Sequence, residues 1–384
     1  MPDHRQGHSE AEEAEVSGNT LPGRNKDFAG RAENSENSAA AVSNGSVTSI
    51  SEGDWRPTCS REILRLRAGM LTAIRHFFAE RHYLEVTTPL LSRDIVIDAH
   101  VEPFFVVAEP SESPFFLQTS PEAFMKRLVA AGSGSIFQIT HSFRKGEAGE
   151  RHNPEFTMLE WYGVDTSYHD QMTVVQDLVH FVTEAVTVDG SMLQGAHLLQ
   201  KAFSTTLYDD AFLRTLRTEV LDLSDADVLD LASRHTAADS CHSDSERDDL
   251  LNLMLAECIE PTLGQKKPEF LIDYPASQAA LAQVNPADPR TACRFELYAD
   301  GVELCNGYQE LIDPAELARR DEIQNRSRSA QGTSVLPGAQ RLVAAMNSGL
   351  PPCSGVALGF DRLVMVLAGL NDISHAMPFP VSRA

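Results

Sequence analysis

Two arginines lie at the ends of a loop that joins two predicted strands in the middle of the chain. An apolar run that includes Ile136, Phe137 and Ile139 predicts a strand that ends at Arg144, and the return arm, 156–162, is rich in aromatic and β-forming residues. Arg144 and Arg151 could bind phosphate oxygens, because arginine presents a rigid bidentate fork to such groups. A solvated surface hairpin with ordinary ion pairs is an equally good interpretation of this segment alone.

Two glutamates of a second predicted hairpin could bind a metal ion. Residues 295–298 and 302–304 have strand character around a turn at 299–301, which places Glu296 and Glu303 on adjoining strands. Magnesium takes few protein oxygens and completes its shell with phosphate and water, so this pair suits a magnesium–nucleotide complex. The alternative is that both carboxylates are solvent-facing polar positions.

The elements that must position these side chains follow from hydrophobic periodicity. Apolar residues recur at three- and four-residue spacing over 61–80, which predicts an amphipathic helix, and a short strand, 83–88, ends at Pro89. Ser120 is a predicted N-cap for a helix over 123–131. Other predictions are a helix over 172–186, a strand over 269–274, and an acidic helical insertion over 190–265. The last prediction is a glycine-bearing strand that begins at 354 and leads into an apolar helix over 363–370.

Composition restricts the class of protein. The chain has 384 residues, a hydrophobic share of 42% that allows a sizeable core, and a formal net charge of −23. This charge argues against a broad nucleic-acid surface, which needs clustered lysine and arginine. The six cysteines form no zinc-binding pattern, and no apolar run is long enough to span a membrane. With no signal-peptide core at its start, the chain is expected in the cytoplasm.

The composition changes near residue 55. Residues 1–54 are dominated by Ser, Asn, Glu, Ala and Gly, and such a segment cannot bury enough apolar surface to offset the entropy of ordering. We therefore predict a disordered extension over 1–54. One catalytic domain is predicted over 55–384, with the helical insertion 190–265 inside it.

Three segments in order along the chain resemble the three motifs that define class II aminoacyl-tRNA synthetases. The first hairpin, FR…RHNPEFTMLEWY, resembles the lysyl-tRNA synthetase form of motif 2. The helix 61–80 with the strand and Pro89 resembles motif 1, and GVALGFDR, 355–362, resembles motif 3. The resemblance covers about residues 57–384. It implies an α+β fold, an antiparallel sheet flanked by helices, and a homodimer formed through motif 1.

The resemblance also implies which residues bind ATP, Mg²⁺ and the amino acid. Arg144 and Arg362 are the implied catalytic residues, acting at the α- and γ-phosphates of ATP, and Glu296 and Glu303 are the implied magnesium ligands. The implied ATP-binding residues are Arg144, Lys145, Gly146, Glu147, Asn153, Glu303, Leu304, Gly359 and Arg362. The implied amino-acid-binding residues are Ser120, Pro121, Glu122, Tyr162, Glu310 and Ala357.

Three departures separate the chain from lysyl-tRNA synthetases. Nothing ahead of motif 1 resembles their anticodon-binding OB-fold, Ala357 replaces a usual glycine, and 276–281 lacks their SPLA form. These departures match truncated lysyl-tRNA synthetase paralogues, which use ATP to join (R)-β-lysine to a lysine of elongation factor P. The resemblance therefore implies adenylation of (R)-β-lysine or lysine and elongation factor P as the protein acceptor, and it argues against tRNA as a partner.

A fourth departure concerns the adenine contact, and two other functions stay open. Motif 2 normally carries a glutamate where this chain has Gly146, and the adjacent Glu147 is the candidate replacement. One alternative is a stand-alone lysyl-tRNA synthetase paralogue that acts on another acceptor, such as tRNA. The other is a binding paralogue that does not catalyse, against which the retained charged motif residues argue.

Overall fold

The computed structural model describes residues 55–107, 113–187, 193–237, 241–242 and 245–384. The extension predicted to be disordered, 1–54, lies outside these residues, so that prediction stays a prediction. Among the described residues, no helix is both long and apolar enough to cross a membrane.

The described strands form a large mixed sheet and a small three-stranded sheet. In chain order they are β1 Leu84–Glu85, β2 Leu91–Ser92, β3 Phe105–Val106, β4 Phe115–Leu117, β5 Ile136–Phe143, β6 Glu155–Val164, β7 Ser204–Leu207, β8 Glu269–Ile272, β9 Arg294–Ala299, β10 Val302–Gln309 and β11 Cys353–Gly359. The large sheet has the order β1-β5-β6-β11-β10-β9-β8-β7, and the small sheet has the order β2-β4-β3.

Helices flank the large sheet. In chain order they are α1 Arg61–Glu80, α2 Glu122–Ala130, α3 Tyr168–Val186, α4 Ala196–Leu199, α5 Tyr208–Leu216, α6 Asp225–His235, α7 Arg247–Met254, α8 Pro314–Ala330, α9 Gln340–Asn347 and α10 Phe360–Ala368. The predicted α+β fold, with an antiparallel sheet flanked by helices, is confirmed. One strand at each edge extends that sheet in parallel, β1 beside β5 and β7 beside β8.

The predicted helical insertion contains a strand of the main sheet. Because β7 precedes α5 to α7 and β8 follows them, these helices form the crossover that two parallel strands require. The sequence analysis missed β7. Its four residues, Ser-Thr-Thr-Leu, are too few for an alternating pattern to be recognised.

The two faces of the large sheet differ in chemistry. Val356 and Leu358 of β11 pack in one buried core with Leu159 and Trp161 of β6, together with apolar residues of α1, α3 and α10. Successive side chains of a strand point to opposite faces, so the residues between them point away from this core. The opposite face therefore carries the polar residues of the same strands.

A buried ion pair joins α1 to the segment that resembles motif 3. The Arg67 guanidinium donates to one oxygen of Asp361 at 2.5 Å, and the other oxygen accepts from the Thr157 backbone N–H at 2.7 Å. The side chains of Asp361 and Arg67 are only 3% and 14% exposed. One carboxylate thus fixes α1, β6 and α10 relative to one another.

Substitution of Arg67 by methionine is expected to lower the free energy of unfolding by about 3 kcal/mol, because Asp361 then stays buried without its cation. Urea denaturation measures the change. Arg65→Met, on the exposed side of the same helix, is the control and should change stability by less than about 0.5 kcal/mol. Equal stability of the two variants would contradict a structural role for the ion pair.

Candidate active site

A cavity of about 880 Å³ opens on the polar face of the large sheet. This volume is at the upper end of the range for ligand pockets, roughly 300–1,000 Å³. Most of the predicted site residues line it, including Arg144, Glu303, Arg362 and the predicted amino-acid-binding carboxylates. The predicted residues that lie outside the cavity wall are Pro121, Lys145 and Gly146.

A row of side chains across four strands forms the floor of the cavity. In the strand register, Glu160 of β6 pairs with Ala357 of β11, which pairs with Asn306 of β10, which pairs with Glu296 of β9. Directly paired residues point to the same face of a sheet, so these four side chains are neighbours. The adjacent row, from the same strands, consists of Tyr162, Gly355, Tyr308 and Arg294.

Three carboxylates, the half-buried Glu122 and the buried Glu160 and Glu310, form a cluster in the cavity wall that we call the amino-group pocket. Glu160 and Glu310 are 2% and 1% exposed. Glu160 accepts hydrogen bonds from the Tyr162 hydroxyl at 2.7 Å and from the Ser120 hydroxyl at 3.0 Å. Buried carboxylates that face a cavity attract cationic ligand groups, because only a cation or a proton can offset their charge there.

The predicted helix cap at Ser120 is wrong. The helix α2 begins at Glu122, Pro121 occupies the cap position, and no side chain caps it. The Ser120 hydroxyl does accept from the Glu122 backbone N–H, at 3.0 Å, but it also donates to Glu160. Ser120 therefore orients a pocket carboxylate, Glu160, and is not the N-cap of α2.

Burial raises the pKa values of two carboxylates in the amino-group pocket. It raises the pKa of Glu160 well above its usual range, and the charge of Glu122 adds to this effect while the hydrogen bonds from Tyr162 and Ser120 oppose it. Burial also raises the pKa of Glu310, against the opposing charge of Lys126. A cation that enters the pocket favours the ionised forms and so displaces protons.

The sequence analysis did not identify Glu160, Lys126 or Gly355 as site residues. Strand alternation could have found Glu160, which lies two positions before Tyr162 on the same face. Helical spacing could have found Lys126, which lies four positions after Glu122. No local signal marks Gly355, because its importance depends on the side chains that pack against it.

The other part of the cavity contains arginines in contact with carboxylates. The Arg362 guanidinium donates to the Glu303 carboxylate at 3.0 Å and lies 2.6 Å from the His152 ring nitrogen Nε2. Arg144 lies 3.7 Å from Glu147. The side chains of Arg362 and Arg144 are 20% and 31% exposed, so both can reach a ligand in the cavity.

Arg151 is more constrained than the sequence analysis assumed. Its guanidinium donates to the backbone carbonyl of Gly301 at 2.6 Å, in the turn between β9 and β10. Its own backbone carbonyl accepts from Arg362 at 3.2 Å. Arg151 thus connects the loop between β5 and β6 to the hairpin of β9 and β10 by a hydrogen bond, and its backbone carbonyl helps to orient Arg362.

A β-bulge points Glu303 into the cavity. The register of β9 and β10 shifts between Glu303 and Cys305, so that Glu303 pairs with Tyr298 while Asn306 pairs with Glu296. Without the extra residue, Glu303 and Asn306 would point to opposite faces, because their separation is odd. The bulge therefore places both side chains on the polar face.

The two predicted magnesium ligands differ in how free their carboxylate oxygens are to bind a metal ion. Glu303 has a side chain one third exposed, and although burial raises its pKa, the charge of Arg362 lowers it below the usual range overall. Glu296 accepts from the hydroxyls of Tyr274 and Tyr298, at 2.5 and 2.6 Å, and from Arg294. Glu303 therefore fits a divalent cation that keeps phosphate and water ligands, whereas the oxygens of Glu296 already have protein donors.

Acidic groups near this position do not build a complete metal cage. Burial raises the pKa of Glu260 to about 7, and the charges of Glu303 and Glu296 contribute. In the part of the chain that the structure describes, no group of three or more His, Cys, Asp or Glu side chains is arranged to hold a metal ion. A metal at Glu303 would need ligands from a bound phosphate.

The loop between β5 and β6 explains the departure at Gly146. The backbone of Gly146 has φ 86°, in the left-handed region that favours glycine, so a glutamate there would be strained. The side chain of Glu147 lines the cavity instead. Asn153, predicted to bind ATP, hydrogen-bonds the backbone of Glu155 and Val381, at 2.6 and 3.0 Å, and so also holds the end of the chain.

Comparison with known proteins agrees with this architecture. The family model described as "tRNA synthetases class II (D, K and N)" matches residues 53–383. The chain belongs to the class II tRNA synthetase family. Within this family it is 42% identical over 337 residues to a Vibrio vulnificus protein named elongation factor P–(R)-β-lysine ligase, an alignment that covers 86% of this chain and 100% of the relative.

Other class II family members with the same name have similar identity. The Vibrio cholerae relative is 42% identical over 87% of this chain and 100% of its own length, and the Proteus mirabilis relative is 42% identical over 86% and 98%. These comparisons confirm the resemblance found in the sequence, to the family and to this group of ligases. They also confirm that the chain is an enzyme of the ligase class.

Proposed function

We propose that the chain uses ATP to activate (R)-β-lysine as its adenylate and transfers the β-lysyl group to a lysine ε-amine of elongation factor P. The observation that supports this best is the amino-group pocket, Glu122, Glu160 and Glu310, in the same cavity as Arg144 and Arg362. A substrate with two ammonium groups suits the carboxylates, and a triphosphate suits the arginines. The names of the relatives support the identity of the acceptor.

The first chemical step forms a mixed anhydride. A carboxylate oxygen of the amino acid attacks the α-phosphorus of ATP, the bond from that phosphorus to the bridging oxygen breaks, and pyrophosphate leaves. Arg144 would stabilise the charge on the α-phosphate, and Arg362 would exchange its contact with Glu303 for the γ-phosphate. The protein contributes orientation and electrostatic stabilisation, which is what phosphorus chemistry requires.

We propose that Glu303 is a ligand of Mg²⁺, with Glu296 as the second predicted ligand. Bound Mg²⁺ would neutralise charge on the phosphate oxygens. Glu303 would hold it from the bulge of β10, while Tyr274 and Tyr298 keep the carboxylate of Glu296 in position.

The second step transfers the acyl group. The ε-amine of the acceptor lysine, in its neutral form, attacks the carbonyl carbon of the anhydride. An amide bond forms, the bond to the phosphate oxygen breaks, AMP leaves, and the amine gives up a proton. The amino-group pocket would hold the ammonium groups of the activated substrate during this step, which keeps its carbonyl in place.

We further propose a cytoplasmic homodimer. Large apolar side chains are exposed in the segment that follows α1 in the chain, with Leu84, Leu90 and Leu91 between 41% and 55% exposed. Exposed large apolar side chains are typical of a protein–protein contact when they form a continuous patch, which these three would do if this segment forms the interface. Sedimentation of the purified chain tests this, and a monomer at all protein concentrations would contradict it.

The test of the proposed function is incubation of the purified chain with ATP, (R)-β-lysine and two candidate acceptors, elongation factor P and tRNA, followed by intact-mass analysis of both acceptors. The expected result is one β-lysyl group on elongation factor P, with AMP and pyrophosphate released. Unmodified elongation factor P together with charged tRNA would instead support the synthetase-paralogue alternative. Absence of any adenylate in a folded protein would support the non-catalytic alternative.

Substitution of Ala357 by glycine is expected to raise kcat/KM for α-lysine modestly and to retain activity with (R)-β-lysine. Ala357 lies between Glu160 and Asn306 in the cavity floor, so its methyl group restricts where an amino group can sit. One methyl in a pocket changes discrimination by about 1–3 kcal/mol, and so tunes the preference without creating it.

The measurement is adenylation kcat/KM for both isomers, and their ratio within one variant cancels any loss of stability. A ratio that does not move would show that Ala357 has no part in isomer choice. A wild-type protein that already prefers α-lysine would favour the synthetase-paralogue alternative.

A further inference from the structure

A lysine is buried behind the amino-group pocket. Lys126 of α2 is 1% exposed, and its ammonium contacts Glu122 at 2.5 Å and also Glu310. Both carboxylates line the cavity, but Lys126 does not. The cation therefore contacts the pocket carboxylates from the protein side, away from any ligand.

Lys126 is held in its charged form. Burial by itself lowers the pKa of a lysine, because the charged form loses its hydration. Here the charges of Glu122 and Glu310 outweigh burial and raise the pKa of Lys126 above its usual value. The two carboxylates thus share one permanent counter-ion.

The charges of the cluster can be counted. Glu122, Glu160 and Glu310 contribute three negative charges when they are ionised, and Lys126 contributes one positive charge. Two negative charges remain for a ligand. A diamino acid such as (R)-β-lysine or lysine brings two ammonium groups, which equals this number.

We propose that Lys126 is a positioning residue that fixes Glu122 and Glu310 and sets the charge of the pocket to match a ligand with two ammonium groups. The inference rests on the proposed function, because it assumes that the diamino acid binds in this pocket. Lys126 does not touch the substrate. It acts through the carboxylates that do.

Lys126 should control the pH dependence of amino-acid binding. Two ammonium groups bind best when the carboxylates are ionised, so affinity rises with pH through their pKa values. The charge of Lys126 lowers the pKa of Glu310 against burial, so its removal should raise that pKa further. The titratable groups that interact with Lys126 or with its two carboxylates are Glu122 on α2, Glu160 and Tyr162 on β6, Tyr308 on β10, Glu310 after it and Cys353 on β11.

The test is Lys126→Met, which keeps the length of the side chain and removes its charge. Binding of (R)-β-lysine to the whole chain is measured by calorimetry, without ATP, from mildly acidic to mildly alkaline pH. We expect affinity at neutral pH to fall at least about tenfold and the acidic limb of the pH profile to move up by about one unit or more. In the adenylation assay, the factor by which KM for (R)-β-lysine rises should exceed the factor by which kcat falls.

The matched control is Arg127→Met. Arg127 follows Lys126 on the same helix. Its guanidinium carbon lies 5.3 Å from the centroid of the Phe124 ring, and the residue is not part of the wall of the active-site cavity. Affinity and pH profile should match the wild type in this variant. A Lys126→Met protein that also matches the wild type in both measurements would overturn the inference.

A second variant separates charge from packing. Lys126→Ala leaves a space beside two carboxylates, which ethylammonium can fill and neutralise. Ethylammonium should restore much of the affinity, and ethanol at the same concentration should not. Equal effects of the two additives would mean that Lys126 serves only to fill space.

The wild-type protein provides a test that does not depend on how the variants fold. Calorimetry in two buffers of different ionisation enthalpy counts protons released on binding. The diamino acid should release more protons than an analogue that lacks one amino group, because its second ammonium displaces a proton from the pocket. Equal release would overturn the inference. A wild type that binds neither lysine isomer would refute the proposed function itself.

Discussion

Substitution of Glu303 by glutamine is expected to reduce ATP–pyrophosphate exchange with (R)-β-lysine by a factor of about 10²–10³. Glutamine keeps the size of the side chain and an oxygen that can accept from Arg362, which lies 3.0 Å from the carboxylate. It removes the negative charge that suits a divalent cation. A loss of exchange would therefore follow from the charge at this position rather than from packing.

Asp249→Asn is the control for this prediction. Asp249 also lines the cavity, with a side chain that is 40% exposed, and its carboxylate lies 3.8 Å from the His100 ring nitrogen Nε2. Exchange should stay near the wild-type rate in this variant. Circular dichroism should show that the Glu303→Gln protein is folded. Near-normal exchange in the folded protein, at limiting Mg²⁺, would remove Glu303 from the metal site.

Substitution of Gly355 by alanine is expected to disrupt amino-acid binding. A methyl group on Gly355 would lie 2.5 Å from the Glu310 carboxylate and 2.5 Å from the Tyr162 ring. Real contacts of this kind are never so short, and both neighbours are almost fully buried, so they cannot move freely. Overpacking of this kind costs about 1–3 kcal/mol, and here the strain falls on the groups that should hold the substrate.

The measurement is KM for (R)-β-lysine in the adenylation assay, together with the thermal midpoint of unfolding. We expect KM to rise at least about tenfold, with a smaller change in KM for ATP. Gly149→Ala is the control, because a methyl group there would meet nothing within 4 Å. An unchanged KM for the amino acid in a folded Gly355→Ala protein would show that this row of the sheet does not form the substrate pocket.

Local signals in the sequence were enough to predict much of the framework. The apolar spacing of 61–80 predicted α1, whose cap, Ser60, accepts from the Ile63 backbone N–H. The predicted strands around Arg144 are β5 and β6, and the predicted strand–turn–strand near Asp300 is β9 and β10. Each of these signals depends on residues within one element or one turn, so the chain carries it without reference to distant segments.

The parallel edges of the sheet depended on distant segments. Pairing of β7 with β8, and of β1 with β5, joins strands separated by helices, and nothing in the short strands specifies the partner. The bulge that points Glu303 into the cavity was also outside the reach of sequence periodicity. A one-residue shift in pairing reverses the face of a side chain, and only the neighbouring strand decides where the shift occurs.

The sequence by itself determined the motifs and the residue types that suit phosphate, metal and ammonium groups. Tertiary structure decided which of these groups share an environment. Glu160 became a buried pocket carboxylate because β6 lies between β5 and β11, and Lys126 acquired Glu310 as a partner because the end of β10 lies beside α2. A buried charge is stable only with a counter-charge nearby, and for these residues that counter-charge comes from a distant part of the chain.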